Sequence, residues 1–425
     1  MSLLIVFLLF IFFYFLFIWK AEKSFPIIYL FLFVYFVQYI FSVYLIYNVY
    51  PALQKQMPIN QSEYFTFCIP ALLFLFAGVL LFNRNIPVIH LFKNIDTRSA
   101  TNLGHLLLGI SYFFEALSYF GLPGINSILS FTHFLRYAGG MCYLFVPSVF
   151  NYFLLALVYL GLAKDALTAG VFIDFFIWCT YLFLMTSLRF NFSLKLRSAF
   201  IFIAIPLLVI IQSVKEDYRA ATWSGKSESG FGLITELASE KNEEDDSPFG
   251  KSEGVINTVG RLNQGWHLGM VLRWVPRKQS FSDGDDMLGD IEGAVLPRIF
   301  FPEKKIIGSQ DKFQKYTGHK LGKGVSMTIG VLGDFYINFG RWGSFIMLFV
   351  FGALISRMLY LFVRKYVVTD PINIVWIPFL FSYLVRANND FYIVINNLVK
   401  GYLIFLFVTY LRKRIWPIRP IQKLR

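Results

Sequence analysis

Apolar runs long enough to cross ~30 Å of hydrocarbon at 1.5 Å per residue recur along the chain, separated by short polar breaks. This pattern predicts spanning helices near 2–19, 25–47, 64–82, 102–120, 142–163, 168–188, 197–214, 343–363, 371–385 and 392–411. The first run, SLLIVFLLFIFFYFLFIW, lacks the basic n-region and small-residue cleavage site of a signal peptide, so it reads as a retained span. The rhythm breaks once, over 215–342. Residues 215–250 are polar and contain the acidic run EKNEEDDSPFGK, which reads as a solvated linker. Residues 251–342 are richer in Gly, Pro, Trp and Phe and read as a folded lobe against the membrane. The chain therefore divides into an N-terminal bundle (1–214), a large loop with short helices (215–342), and C-terminal helices with a basic tail (343–425).

Composition sharpens this picture. The chain is 56% hydrophobic, 19% aromatic and 15% charged, which excludes an ordinary soluble protein. The net charge of +13 could suggest nucleic acid, but its distribution argues against that. Residues 215–342 hold 17 basic and 18 acidic side chains, so the excess lies in the short loops and the tail RKRIWPIRPIQKLR. That is the positive-inside pattern, which places the tail in the cytoplasm and the large loop outside. Counting crossings from the two ends agrees only if 121–141 adds one more span, with a re-entrant element as the competitor. The expectation is an all-α polytopic membrane protein with 10–11 transmembrane helices, its N-terminus outside.

Several chemistries have no sequence support. Cys68, Cys142 and Cys179 lie in apolar runs without metal or disulfide spacing, and no HExxH pair exists. Walker A and GxGxxG patterns are absent, so ATP hydrolysis and nicotinamide chemistry find no footing.

The large loop does carry spaced cations: Arg219, Arg261, Arg273, Arg277, Arg298, Lys304, Lys305 and Arg341. Arginine presents a fixed fork of donors that suits phosphate, and Trp266, Trp274, Phe300, Phe301 and Trp342 lie among these cations. Together they suit an anionic head group whose lipid stays in the bilayer; snorkelling and ion pairing are the plainer explanation. In LPRIFFP, Pro297 and Pro302 stiffen the backbone on both sides of Arg298. Downstream, Asp334, Tyr336 and Asn338 alternate with apolar residues ahead of a span, and Asp334 could be a base or the orienter of an arginine. His267, beside Trp266, is the best-placed histidine for acid–base work, although a lone histidine is more often structural. Arg386 and Asp390 stand at i,i+4 and either pair as a helix-end device or face a site. Glu115 and Asp174 are isolated acids within spans, either functional or paired inside the bundle. Asp283, Asp285, Asp286 and Asp290 lack an EF-hand frame and read as solvated or paired with the arginines.

The order GRLNQGWHLGMVL, GDIEGAVLPRIFFPEKK, VSMTIGVLGDFYINFGRWG resembles the integral-membrane oligosaccharide repeat-unit polymerases, the Wzy-type O-antigen and exopolysaccharide polymerases. VKEDYRAATW is similar to the opening of that family's large periplasmic loop, and the resemblance covers about 215–345. Lys305 stands where the family box has a proline. The resemblance implies a GT-C-like fold and a metal-independent glycosyltransferase, without cofactor, at the bacterial inner membrane. Its donor would be a glycan on undecaprenyl pyrophosphate, its acceptor a hydroxyl of another lipid-linked repeat unit, and a chain-length regulator a possible partner. Arg261, Arg298, Asp334 and His267 would be catalytic. Arg219, Arg273, Arg277, Lys304, Lys305, Tyr336, Asn338, Arg341 and Arg386 would hold substrate. An O-antigen ligase, or a flippase of lipid-linked oligosaccharide, is the alternative; a flippase should line a central membrane cavity with its cations.

Overall fold

The computed structural model describes residues 2–83, 86–120, 131–224, 229–244, 253–295, 309–322 and 325–416. Among them every regular element is helical. The N-terminal part holds α1 (Leu3–Lys20), α2 (Ile27–Asn48), α3 (Gln61–Phe82), α4 (Thr97–Ser118), α5 (Leu135–Cys142), α6 (Val149–Ala169), α7 (Ile173–Phe190) and α8 (Leu194–Trp223). Five shorter helices follow: α9 (Phe231–Glu244), α10 (Glu253–Leu262), α11 (Gly265–Trp274), α12 (Asp285–Val295) and α13 (Ser309–Thr317). The chain closes with α14 (Val331–Phe362), α15 (Trp376–Val385) and α16 (Phe391–Ile415).

Eight of these helices are long and apolar enough to cross a membrane: α1, α2, α3, α6, α7, α8, α14 and α16. The protein is thus a polytopic helical membrane protein. Polar residues punctuate the spans as their chemistry requires. Asn60 and Ser193 accept backbone N–H groups at the starts of α3 and α8, and Asp96 does so for α4. Left-handed Gly170 and Asn191 end α6 and α7.

Two predicted spans are displaced. The run expected at 142–163 is split, because Cys142–Phe145 belong to the helical stretch of α5 and α6 begins only after Pro147 and Ser148. Proline lacks the N–H that a continuous helix would need there. The span expected from 343 begins at Val331, with a kink at Gly340 (φ 63°, ψ −167°). Its first turns carry the polar side chains of GDFYINFG, which hid them from a hydropathy reading.

For the segment 121–141, residues 121–130 lie outside the described residues. From 131 onward the chain runs back along α4. The Ser111 hydroxyl donates to the His133 carbonyl, Tyr143 Oη lies 2.8 Å from His105 Nδ1, and Phe145 meets Phe92 of the α3–α4 connection.

α3 and α14 cross with their backbones in contact. A Cβ at Gly78 would stand 2.0 Å from the Phe349 carbonyl oxygen, and one at Gly352 would stand 2.5 Å from that of Leu75. Ser356 donates to the Val79 carbonyl at 2.7 Å across the same seam. Helices surrounded by lipid associate through such close packing, since lipid is as apolar as leucine. Gly352→Val should therefore destabilise the protein by at least the ~1–3 kcal/mol of core overpacking, read as lower melting temperature in detergent. Gly109→Val is the control, because nothing lies within 4 Å of its Cβ position. Equal melting of the two variants would contradict the packing argument.

Candidate functional site

The helices of 229–322 are tied to the bundle by a buried polar lock. The α16 helix is entered through Asp390, whose Oδ1 accepts the N–H groups of Ile329 (2.7 Å) and Gly330 (2.8 Å), just ahead of α14. Asp334, in the first turn of α14, answers by accepting the Phe391 N–H at 2.8 Å. Each carboxylate thus serves the N-terminus of the other helix, where N–H groups are otherwise unpaired and the dipole favours negative charge. Gly330 has φ 83°, and a side chain there would strike the Tyr39 hydroxyl at 2.5 Å, so the turn demands glycine.

Lys312 of α13 reaches into this lock. Its ammonium donates to Asp290 Oδ2 at 2.9 Å and lies 2.8 Å from Asp334 Oδ1 as an ion contact. Asp290, Lys312, Asp334 and Asp390 are all buried. Burial lowers the tendency of Lys312 to keep its proton, but the charges of Asp334, Asp290 and Asp390 more than reverse that. Three acids for one lysine leave the acids under-compensated. Burial pushes the carboxyls of Asp390 and Asp290 up from their ordinary range; neighbouring Asp334 adds to it in both, while Lys312 pulls the other way. A carboxyl raised in the folded state stabilises below its ordinary value of 3.8, and that contribution is lost as pH rises through about 7. Melting temperature should accordingly fall between about pH 4 and about pH 7, and Asp390→Asn should flatten the slope. A slope of opposite sign in the native protein would show that the lock prefers to be fully ionised.

Sequence reasoning left two roles open for Asp334, and its placement favours the orienter of a cation; that cation is Lys312 rather than an arginine. Asn338 Oδ1 accepts from the Met287 N–H and the Ser282 hydroxyl, while its amide donates to the Asp334 carbonyl. Tyr336 donates to the Val275 carbonyl at 3.2 Å. Asn338 and Tyr336 thus bind α12 and the α11–α12 connection to α14, while Asp334 binds α13 and α16 to it. Of the α12 aspartates expected to be solvated or paired with arginines, Asp285 is exposed, whereas the other two meet lysines: Asp290 holds Lys312, and Asp286 accepts the Tyr316 hydroxyl with Lys315 at 3.7 Å. Lys312 itself escaped the sequence reading. Its signal was present, since it shares the buried face of α13 with Phe313 and Tyr316, an unusual place for lysine.

An open pocket of about 310 Å³ lies at the α10–α11 corner, lined by Gln56, Arg261, Asn263, Trp266, His267 and Met327 among others. The corner is held on α2, where a π-helical turn (Val37–Phe41) leaves the Gln38 carbonyl free to accept the Gln264 N–H. Ser42 donates to the Leu262 carbonyl, and Asn263 caps α11 by accepting the Trp266 N–H. Arg261 is partly exposed and paired with Glu216 at 2.6 Å. His267 packs against Trp266 and Phe313; burial lowers its pKa to about 4, so the ring is neutral at physiological pH. Its Nδ1 has no hydrogen-bond partner among the described residues.

One turn from Glu216 on α8 stands Arg219, stacked on Trp223 and donating through Nε to the Gly170 carbonyl at 2.9 Å. Arg219 is close enough to Arg261 for the two charges to repel, and Lys215 senses both. The structure therefore brings Lys215 and Arg219 near Arg261, and of these three Arg261 lines the pocket with His267. The other expected site residues go elsewhere. Arg277 pairs with Glu63 at 3.1 Å and, with exposed Arg341, flanks Tyr336. Arg273 is exposed in the last turn of α11. Arg386 does not pair with Asp390, as their spacing had suggested: Asp390 is occupied by backbone, and Arg386 meets Asp174 of α7. Glu115 likewise pairs with Arg136. Arg298, Lys304 and Lys305, with Pro297 and Pro302, lie outside the described residues.

No curated protein and no solved structure matches the chain. Residues 77–416 match the family described as a domain of unknown function, DUF8712, a stretch that runs from within α3 through Arg261 of the pocket and the lock to the end of α16. The chain belongs to that family.

Proposed function

We propose that this protein is a membrane glycosyltransferase that polymerises oligosaccharide repeat units carried on undecaprenyl pyrophosphate. In this reading it lies in a bacterial inner membrane with about eleven crossings, the helical stretches 97–118, 131–145 and 371–385 joining the eight long apolar ones. The α9–α13 segment faces the periplasm and the basic tail the cytoplasm, in keeping with the charge distribution.

The observation that supports the reading best is the pocket lined by Arg261 and His267, with Arg219 and Lys215 near Arg261 outside its lining. In glycosyl transfer from a lipid pyrophosphate, the acceptor hydroxyl attacks the anomeric carbon as the bond to the pyrophosphate oxygen breaks. Charge grows on the leaving group and a proton must leave the hydroxyl. Arg261, released from Glu216, with Arg219 and Lys215, meets the first need by electrostatics. Neutral His267 meets the second as base. The resemblance adds Arg298 to the charge-stabilising set.

A second reading, a transporter of lipid-linked glycan, draws on another observation: a cavity between helices bordered by the Glu115–Arg136 and Asp174–Arg386 pairs. Deleting the gene in a strain that makes the glycan separates these readings. Single repeat units on the final acceptor are the expected product. Repeat units left on lipid with no transfer would point to a ligase, and units confined to the cytoplasmic face to a transporter.

A further inference from the structure

The interhelical cavity is a feature of the bundle that the reaction pocket does not use. It has a volume of about 500 Å³, within the range of small-molecule sites, and lies between α4, α5, α6, α7 and the end of α15. Its lining carries the acids Glu115, Asp165 and Asp174 with His133, together with the hydroxyls of Ser111, Ser118 and Tyr137, and its ring faces include Phe134 and Tyr383. Two of the acids are held from behind. Arg136, buried, grips Glu115 and donates through Nε to Ser111 at 3.2 Å. Arg386, its side chain 11% exposed, grips Asp174, while its own Nε has no hydrogen-bond partner among the described residues. Among the described residues Asp165 has only His133, at 3.9 Å.

The charge of this set selects its ligand. Three carboxylates against two guanidiniums give the cavity no excess of positive charge with which to hold an anion. Carboxylates accept hydrogen bonds and do not donate, so a ligand must bring donors. Phe134 is stiffened by stacking on buried Trp178, with centroids 6.0 Å apart and rings 16° from parallel, and offers a flat apolar wall. Hydroxyl donors around an apolar ring face are the chemistry of a sugar. The position fits as well: Ala169 and Val171 line the cavity on either side of Gly170, whose carbonyl holds Arg219 of the cation cluster.

We propose that this cavity binds the uncharged sugar residues of the glycan, apart from the cationic pocket that takes the pyrophosphate. The inference rests on the glycosyltransferase reading for the identity of that glycan, though its polarity argument is independent. A photo-crosslinking amino acid placed at Ala169 tests it, with a second placed at Gln56 in the Arg261 pocket. Both would be used in the full-length protein in membranes of cells making the glycan. After illumination, periodate-based staining shows whether each adduct carries sugar. A sugar-bearing adduct from position 169, reduced about tenfold by Asp165→Asn through loss of a charge-assisted hydrogen bond, is the expected result. Asp165 is half-exposed, so that variant should keep its melting temperature. Sugar at position 56 but none at 169 would overturn the cavity assignment and leave the proposed reaction standing. Sugar at neither position would sink both, and an adduct unaffected by Asp165→Asn would show that the acids do not recognise the ligand.

Discussion

Lys312→Met is expected to destabilise the protein by about 3–5 kcal/mol, the cost typical of removing one partner from a buried ion pair. The side chain is 7% exposed and is the cation shared by Asp290 and Asp334, with Asp390 close by. Without it, buried acids would have to take up protons or pull apart. The segment carrying α13 would then lose its tie to α14, which is read as faster proteolysis within 309–322 and a lower melting temperature. Adding Asp290→Asn to Lys312→Met should recover part of the loss, because it removes one of the stranded charges. If the single variant melted like the native protein, the lock would not be what joins these helices.

The second large effect concerns the reaction. Arg261→Ala should cut glycan polymerisation by about 10²–10³-fold, the usual loss when one preorganised charge-stabilising donor is removed. Arg261→Lys should fall nearly as far, because a lysine cannot offer the paired donors of a guanidinium to phosphate. Arg261 is partly exposed, and its one described ion pair is with Glu216 on the surface, so neither variant should unfold the protein. His267→Gln should lower the rate while leaving membrane levels unchanged. Full activity in the Arg261→Lys variant would reduce that arginine to a general surface cation.

Much of the bundle was legible because crossing a bilayer needs a long apolar run, and such runs can be counted. Legibility failed where local chemistry interrupts the run. Pro147 moved a helix start, and Asp334, Tyr336 and Asn338 disguised the first turns of α14. Site residues were legible as types and not as partners. Arg261 and His267 are near neighbours in sequence and do share a pocket. Arg386 and Asp390 are as close, yet Arg386 meets Asp174, on a helix of the N-terminal bundle. Spacing along one helix says which side chains can touch, whereas a buried charge takes whichever partner the tertiary fold brings. The same reason explains why Asp286 and Asp290 turned to Lys315 and Lys312 instead of the arginines.

The most direct measurement is chain extension by the purified protein, reconstituted with lipid-linked repeat units extracted from cells that make the glycan, in excess EDTA. The account predicts a ladder of lengthening chains with the native protein and essentially none with Arg261→Ala. No ladder from the native protein unless Mg²⁺ is restored, or an equal ladder from both proteins, would contradict the claim that arginine charge at this pocket drives the transfer.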